Sequence, residues 1–252
     1  MTSTLGRSAR RLRYLVVSTG TRTALRRAIT RLASPLYASQ TLIIQNLYVD
    51  YDAIEEGAEE GPETVRGEIV ETVEALAQRR GDLHPALDYD YLVRFITKPG
   101  RSRCVLFFDY TQEDGTHQII GFRTIEQGYF EMPEYHFGGP LASNFSVVYE
   151  VEVAPSFRGK NIHGRTRRYL FQELRRRGVT CSTGVIRPHN AASLRASFRQ
   201  TPGSKSTFNG SFRVSRWLGG RRVRTPSWDR VRALMESPPG PTTLPPEFDP
   251  GD

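Results

Sequence analysis

Residues Val147-Val-Tyr-Glu-Val-Glu-Val-Ala-Pro155 are followed by Ser156-Phe157, then by Arg158-Gly-Lys-Asn-Ile-His-Gly164, and then by an arginine-rich helical pattern. The β-branched run predicts a strand. Pro155 stops it, a basic loop containing Gly159 turns the chain, and a helix begins near Ile162. That order leaves unpaired backbone N–H groups and a helix dipole where an anion can sit. A phosphate-bearing ligand is the natural expectation.

Working outward, the helix from Ile162 runs to Arg177 and ends at Gly178. Val179–Arg187 reads as the next strand, and Asn190 is placed as the N-cap of a further helix. Thr207–Leu218 suggests a closing hairpin around Asn209-Gly210. On the other side, Gly128–Asn144 is aromatic and rich in Gly and Pro, and reads as a loop over the site. Arg103–Tyr110 and Gln118–Glu126 read as strands joined by a turn at Asp114-Gly115, and Asp88–Thr97 as a short helix. Val65, Ile69, Val73 and Leu76 give the apolar side of a helix starting near Pro62. Thr41–Val49 reads as a strand.

Charge divides the chain sharply. Residues 1–40 carry +8 (eight arginines, no acid), and residues 41–157 carry −13 (8 basic, 21 acidic). Residues 158–232 carry +17 (19 basic, 2 acidic), and the rest carries −4. The half with the basic loop therefore favours an anionic ligand, although arginines are also common on solvated surfaces. Arg175-Arg176-Arg177 reads as a solvated helix end, Arg221, Arg222 and Arg224 as surface, and His136 as a packed histidine. Leu25, Ala28, Ile29, Leu32 and Leu36 form an amphipathic stripe. It can pack on the domain, lie on anionic lipid or belong to a transit peptide. No apolar run reaches the roughly 18 residues of a membrane span. Cys104 and Cys181 have no metal or redox spacing, and the five histidines show no ligand pairing. A reducing cytosol and no metal are expected, with peripheral contact at the inner membrane face left open.

The pattern V-x-P-x-x-R-G-x-x-I, then helix, strand and N-x-x-S helix, resembles a GNAT-type N-acetyltransferase from Val147 to Gly203. The order of elements is compatible from residue 41. The resemblance implies an α/β (α+β) fold: a mixed, mostly antiparallel sheet flanked by helices, with one strand splayed at the cofactor site. It implies that Arg158, Gly159, Lys160, Asn161, Ile162, His163 and Gly164 hold the diphosphate of acetyl-coenzyme A or another acyl-coenzyme A. Val151 and Val153 would pair with its pantetheine arm, and Asn190 and Ser193 would face it. Three regions follow: a basic extension (1–40), an acyltransferase domain (41–235), and a Pro-rich tail (236–252) read as disordered.

Two departures stand out. Asn161 and His163 occupy positions where the family usually has glycine; Asn tolerates left-handed geometry, while His163 would crowd or contact the phosphates. Ser197 stands where a tyrosine acid is usual. Glu150 and Glu152 share one side of their strand. A buried carboxylate there would suit a general base, and Glu150 is the preferred candidate; pairing with arginines of the following helix is the competing reading. The Val151 N–H would meet the oxyanion. The acceptor is not identified by the sequence; the arginine-rich face points to an anionic one, a small or sugar-linked molecule. A nucleic-acid-binding protein and a non-catalytic coenzyme-binding module stay open as alternatives; no specific nucleic acid is expected, and the oligomeric state is not legible.

Overall fold

The N-terminal strand is longer than its apolar run, β1 (Tyr37–Val49), and Leu42, Ile43 and Ile44 are buried in succession because both faces of the strand are covered. The computed structural model describes residues 37–51, 64–112, 114–198, 203–217 and 222–248. The amphipathic stripe within 1–36 and most of the acidic segment lie outside the described residues. The helix expected from Val65 is instead β2 (Thr64–Val70), followed by a short α1 (Val73–Gln78). A spacing of four residues satisfies both periods, and Gly67 tips the balance. A Cβ there would lie 2.4 Å from Tyr169, so this glycine admits close contact with a helix.

The short helix is α2 (Tyr89–Ile96), capped by Asp88, whose carboxylate accepts the Tyr91 N–H at 3.0 Å. β3 (Ser102–Thr111) and β4 (His117–Gln127) form the expected hairpin, with Gly115 at φ 81 in its turn. The region read as a loop holds a second small hairpin, β5 (Tyr129–Met132) and β6 (Phe137–Pro140). Then come β7 (Phe145–Val153), α3 (Ile162–Arg165) and α4 (Arg167–Arg176). The single expected helix is interrupted at Thr166, whose hydroxyl donates back to the Ile162 carbonyl at 2.9 Å. β8 (Cys181–Ile186) leads to α5 (Ala191–Phe198). The hairpin expected at Asn209-Gly210 is a bulge inside one long strand, β9 (Ser204–Trp217). β10 (Arg222–Arg224) folds back on the end of β9, and α6 (Trp228–Met235) follows.

The eight-stranded sheet runs β10-β9-β1-β8-β7-β4-β3-β2 and is antiparallel except between β7 and β8. This is a mixed α+β fold with helices on both faces. Alternation along β3 makes the point: Leu106 and Phe108 pack with Leu170, Phe171 and Leu174 of α4, while Val105 and Phe107 pack with Leu76, Leu92 and Phe95. β5, β6 and α6 cover the rest of that second face through Phe130, Phe137, Val231 and Met235.

Two ion clusters pin these layers. Arg103 donates to Glu126 at 2.7 Å, to Glu131 at 2.9 Å and to the Phe95 carbonyl at 2.9 Å, tying α2 and β5 to the sheet. Arg176 and Arg177, expected in solvent, both bind Glu173 and Glu71. Residues 237–248, within the Pro-rich tail read as disordered, are docked, while 249–252 lie outside the described residues. Asn209 donates to Ser237 at 2.8 Å and to the Pro238 carbonyl at 3.1 Å, and the Phe208 N–H reaches the Pro241 carbonyl at 2.8 Å. Leu244 and Phe248 then pack on Ile43, Ile186 and Leu194. Proline removes donors but not acceptors, so a Pro-rich chain can still line a strand edge. Deleting residues 238–252 is expected to lower stability by about 2–4 kcal/mol, read as an earlier urea midpoint; an unchanged midpoint would mean the docking contributes nothing.

Candidate functional site

β7 and β8 pair only from Phe145–Val148 against Cys181–Gly184. Beyond Val148 the two strands part, while β7 stays on β4 as far as Val153. The departure coincides with a bulge: two β7 residues, Tyr149 and Glu150, face Thr124 alone. The Glu150 N–H donates to the Thr124 hydroxyl at 3.1 Å, and the Ala154 N–H to the Ile120 carbonyl at 2.7 Å. Both amides point toward β4. The period of two therefore turns the Val151 and Val153 amides toward the parted edge. Val151 is exposed, and the Val153 carbonyl accepts from Arg158 Nε at 3.0 Å.

The loop that follows is turned by two left-handed residues, Gly159 (φ 84) and Asn161 (φ 54, ψ 28). Arg158, Gly159, Lys160 and Asn161 are exposed, while Ile162 is buried and anchors the turn in the α4 core. Gly164 is needed because Asn161 folds its amide over it: a Cβ would come within 2.7 Å of Asn161 Oδ1. The Asn161 carbonyl accepts from Gly164 and Arg165 at 3.0 and 3.1 Å. Lys160 Nζ lies 5.5 Å from the Tyr110 ring and 5.6 Å from the Phe157 ring.

His163 does not obstruct the outer side of the loop. Its imidazole turns inward against Arg123, with Nη2 at 3.1 Å from Nδ1. Burial, then Arg123 and Arg167, push its pKa down to about 3. Arg123 itself is 3% exposed, and burial beside Arg167 lowers it to about 9. It sits on β4 opposite Val151.

Glu150 is exposed rather than buried, so the buried base expected there is corrected: the strand end that the bulge turns outward carries it into solvent. Glu152 is partly buried. Both carboxylates act on Tyr91, whose phenol lies 3.3 Å from the Thr124 hydroxyl and is raised to about 12, mainly by burial. Asn190 caps α5, its Oδ1 accepting the Ser193 N–H at 3.3 Å, and both residues follow β8 on the other side of the parting. Ser197 gives its carbonyl to the Ser206 hydroxyl at 2.6 Å and supplies no phenol. Sequence reasoning missed Arg123, Thr124 and Tyr91. The signal for Arg123 was present: the single charge within the mostly apolar run Ile119–Ile125.

A separate cavity of about 640 Å³ lies between β9, the β10–α6 connection and α6. Its lining includes Arg213, Arg224, Arg230, Thr41, Ser211 and Ser215, and no acidic side chain.

No family model matches the sequence, and no curated protein matches it. Solved structures align over part of the chain. One is a tandem GNAT protein from the clavulanic acid biosynthesis pathway, at 15% identity, over 67% of this chain and 52% of that one, with TM-score 0.40. Another is a GCN5-related N-acetyltransferase from Sphaerobacter thermophilus, at 14% identity, over 77% and 55%, with TM-score 0.40. A third is a functionally unknown conserved protein from Staphylococcus epidermidis, at 8% identity, over 75% and 66%, with TM-score 0.39. The chain thus spans between about half and two thirds of the length of these proteins.

Two measurements check this geometry. Asn161→Ala should cost about 1 kcal/mol and Asn161→Gly should cost less, because only the first strains the left-handed turn; equal losses in urea unfolding would contradict it. The His163 imidazole should keep its neutral nitrogen shifts from pH 7 to pH 4. A folded pKa below the unfolded one means its contribution to stability is present above about pH 6.5 and is lost as pH falls toward 3. Stability should therefore fall less with acidification in His163→Phe than in the wild type.

Proposed function

We propose that this chain transfers an acyl group from an acyl-coenzyme A to an amine or hydroxyl, as a GNAT-type acyltransferase. The observation that carries the reading is the parting of β7 from β8 directly before a loop turned by Gly159 and Asn161. A parted parallel pair offers strand amides to an extended amide-bearing arm, as an added strand would. The adjoining turn has exposed residues from Arg158 to Asn161 to meet a diphosphate. The residues present fit the coenzyme, and Arg123 beside the turn, whose Nε and Nη1 have no hydrogen-bond partner among the described residues, fits an anionic group.

In this reading Val151 and Val153 orient the arm through their amides, and the Val151 N–H polarises the acyl carbonyl. The loop from Arg158 to Gly164 holds the diphosphate, with Asn190 and Ser193 facing the arm from the β8 side. Bound coenzyme supplies an activated thioester. Glu150, exposed at the bulge, takes the proton from the acceptor directly or through water. Tyr91 keeps its proton at neutral pH and lies with Thr124 beside this carboxylate, so a phenol donor comes from α2 where Ser197 cannot serve. An anionic or sugar-linked acceptor is favoured by the strongly basic half of the chain that carries the loop. Among the described residues no helix is long and apolar enough to cross a membrane. We propose a cytosolic location, with peripheral contact to anionic lipid through the basic N-terminal stretch.

Calorimetry should show saturable coenzyme A binding, reduced at least roughly tenfold by the double change Arg158→Ala with Gly159→Ala. Undiminished affinity would remove the loop from the site. In an acceptor screen read by free-thiol release, Glu150→Gln should lower kcat by roughly a hundredfold with little change in coenzyme affinity.

A further inference from the structure

Among the described residues two arginines are buried, Arg103 and Arg123, and Arg103, like the largely covered side chain of Arg177, is held by carboxylates. Arg103 has Glu126 and Glu131; Arg177 has Glu173 and Glu71. Arg123 has none within ion-pair distance among the described residues, and the charge that acts on it is another cation, Arg167. Its Nη2 rests on a neutral imidazole, its guanidinium carbon lies 6.0 Å from the Phe108 ring, and Nε and Nη1 are buried without any partner. Removing a guanidinium from water without a counter-charge is costly, and an apolar side chain of similar volume would serve packing better. A cation held this way is matched to an anion that arrives from outside.

We infer that Arg123 is a ligand residue for a phosphate or diphosphate group, reaching the candidate site from β4 beneath the loop that carries His163. The inference rests on the coenzyme reading only for the identity of the molecule bearing the phosphate. His163 is the positioning residue: it accepts from Nη2 and, being neutral, adds no competing charge. Its place two residues after Asn161 puts the Arg123 head directly under the exposed turn. Across the ladder, the neighbour of Arg123 is Val151, the first residue beyond the bulge, so one strand position connects the anion to the parted edge.

The test compares wild type and Arg123→Met in three titrations, with coenzyme A, inorganic pyrophosphate and pantetheine, followed by calorimetry and thermal shift. Wild type should bind the first two. Arg123→Met should bind them roughly ten- to hundredfold more weakly, keep whatever affinity wild type has for pantetheine, and melt no lower than wild type without ligand. Pyrophosphate binding without coenzyme A binding would uphold the anion site and overturn the coenzyme reading. Equal affinity of the two proteins for pyrophosphate and coenzyme A would overturn the inference while leaving that reading intact. Should the variant fail to fold, wild type still decides: the Arg123 Nε–H resonance must shift on adding pyrophosphate, and a resonance that stays put refutes the assignment.

Discussion

Between the pairs Ile125–Val148 and Arg123–Val151, β7 carries Tyr149 and Glu150 while β4 carries only Thr124. The Thr124 hydroxyl takes the surplus Glu150 amide and is itself met by the Tyr91 phenol from α2, so the bulge is held from within the sheet and from the helix above it. A bulge bends its strand and increases its twist. β8 cannot follow that bend, because β1 grips it along Cys181–Ile186 on its other edge. Two parallel strands that start together must then separate, and the opened edge with its amides is the consequence.

β1 makes that grip possible. It pairs with β8 on one side and with β9 on the other, placing the start of the described chain in the middle of the sheet. Buried polar contacts run through the seam: Thr183 donates to Asn46 at 2.9 Å, Gln45 to Ser206 at 3.1 Å, and Asn46 to the Met235 carbonyl at 2.6 Å. Satisfied buried polar groups fix register, since any slip would orphan them. The half of the sheet bearing the arginine-lined cavity is thereby coupled to the half bearing the parted strands.

Charge works against its own sequence statistics here. The segment from 158 to 232 is strongly basic, yet Arg176 and Arg177 are neutralised by Glu173 and Glu71. Arg123, the lone buried cation at the site among the described residues, comes from the acidic stretch. Net charge describes the surface field, whereas a site is defined by which charges lose their partners when water is excluded.

Local signals were legible where the physics is local. The helix from Asp88, the Asn190 cap, the Asp114-Gly115 turn, the left-handed geometry of Asn161 and the strand-loop-helix order around Arg158 could all be read along the chain, because each depends on neighbours within a few residues. Val65 and Ile69 pointed to a helix but lie in β2, since a four-residue spacing fits a helix and a strand alike and the contact of Gly67 with Tyr169 favours the strand. Asn209-Gly210 has the chemistry of a hairpin turn but makes a bulge, because β1 pairs straight past it. The outward turn of Glu150, the docking of Phe248 and the isolation of Arg123 were decided only in three dimensions. Each depends on partners far along the chain, and a chain read in order carries no record of which distant side chains will exclude water together.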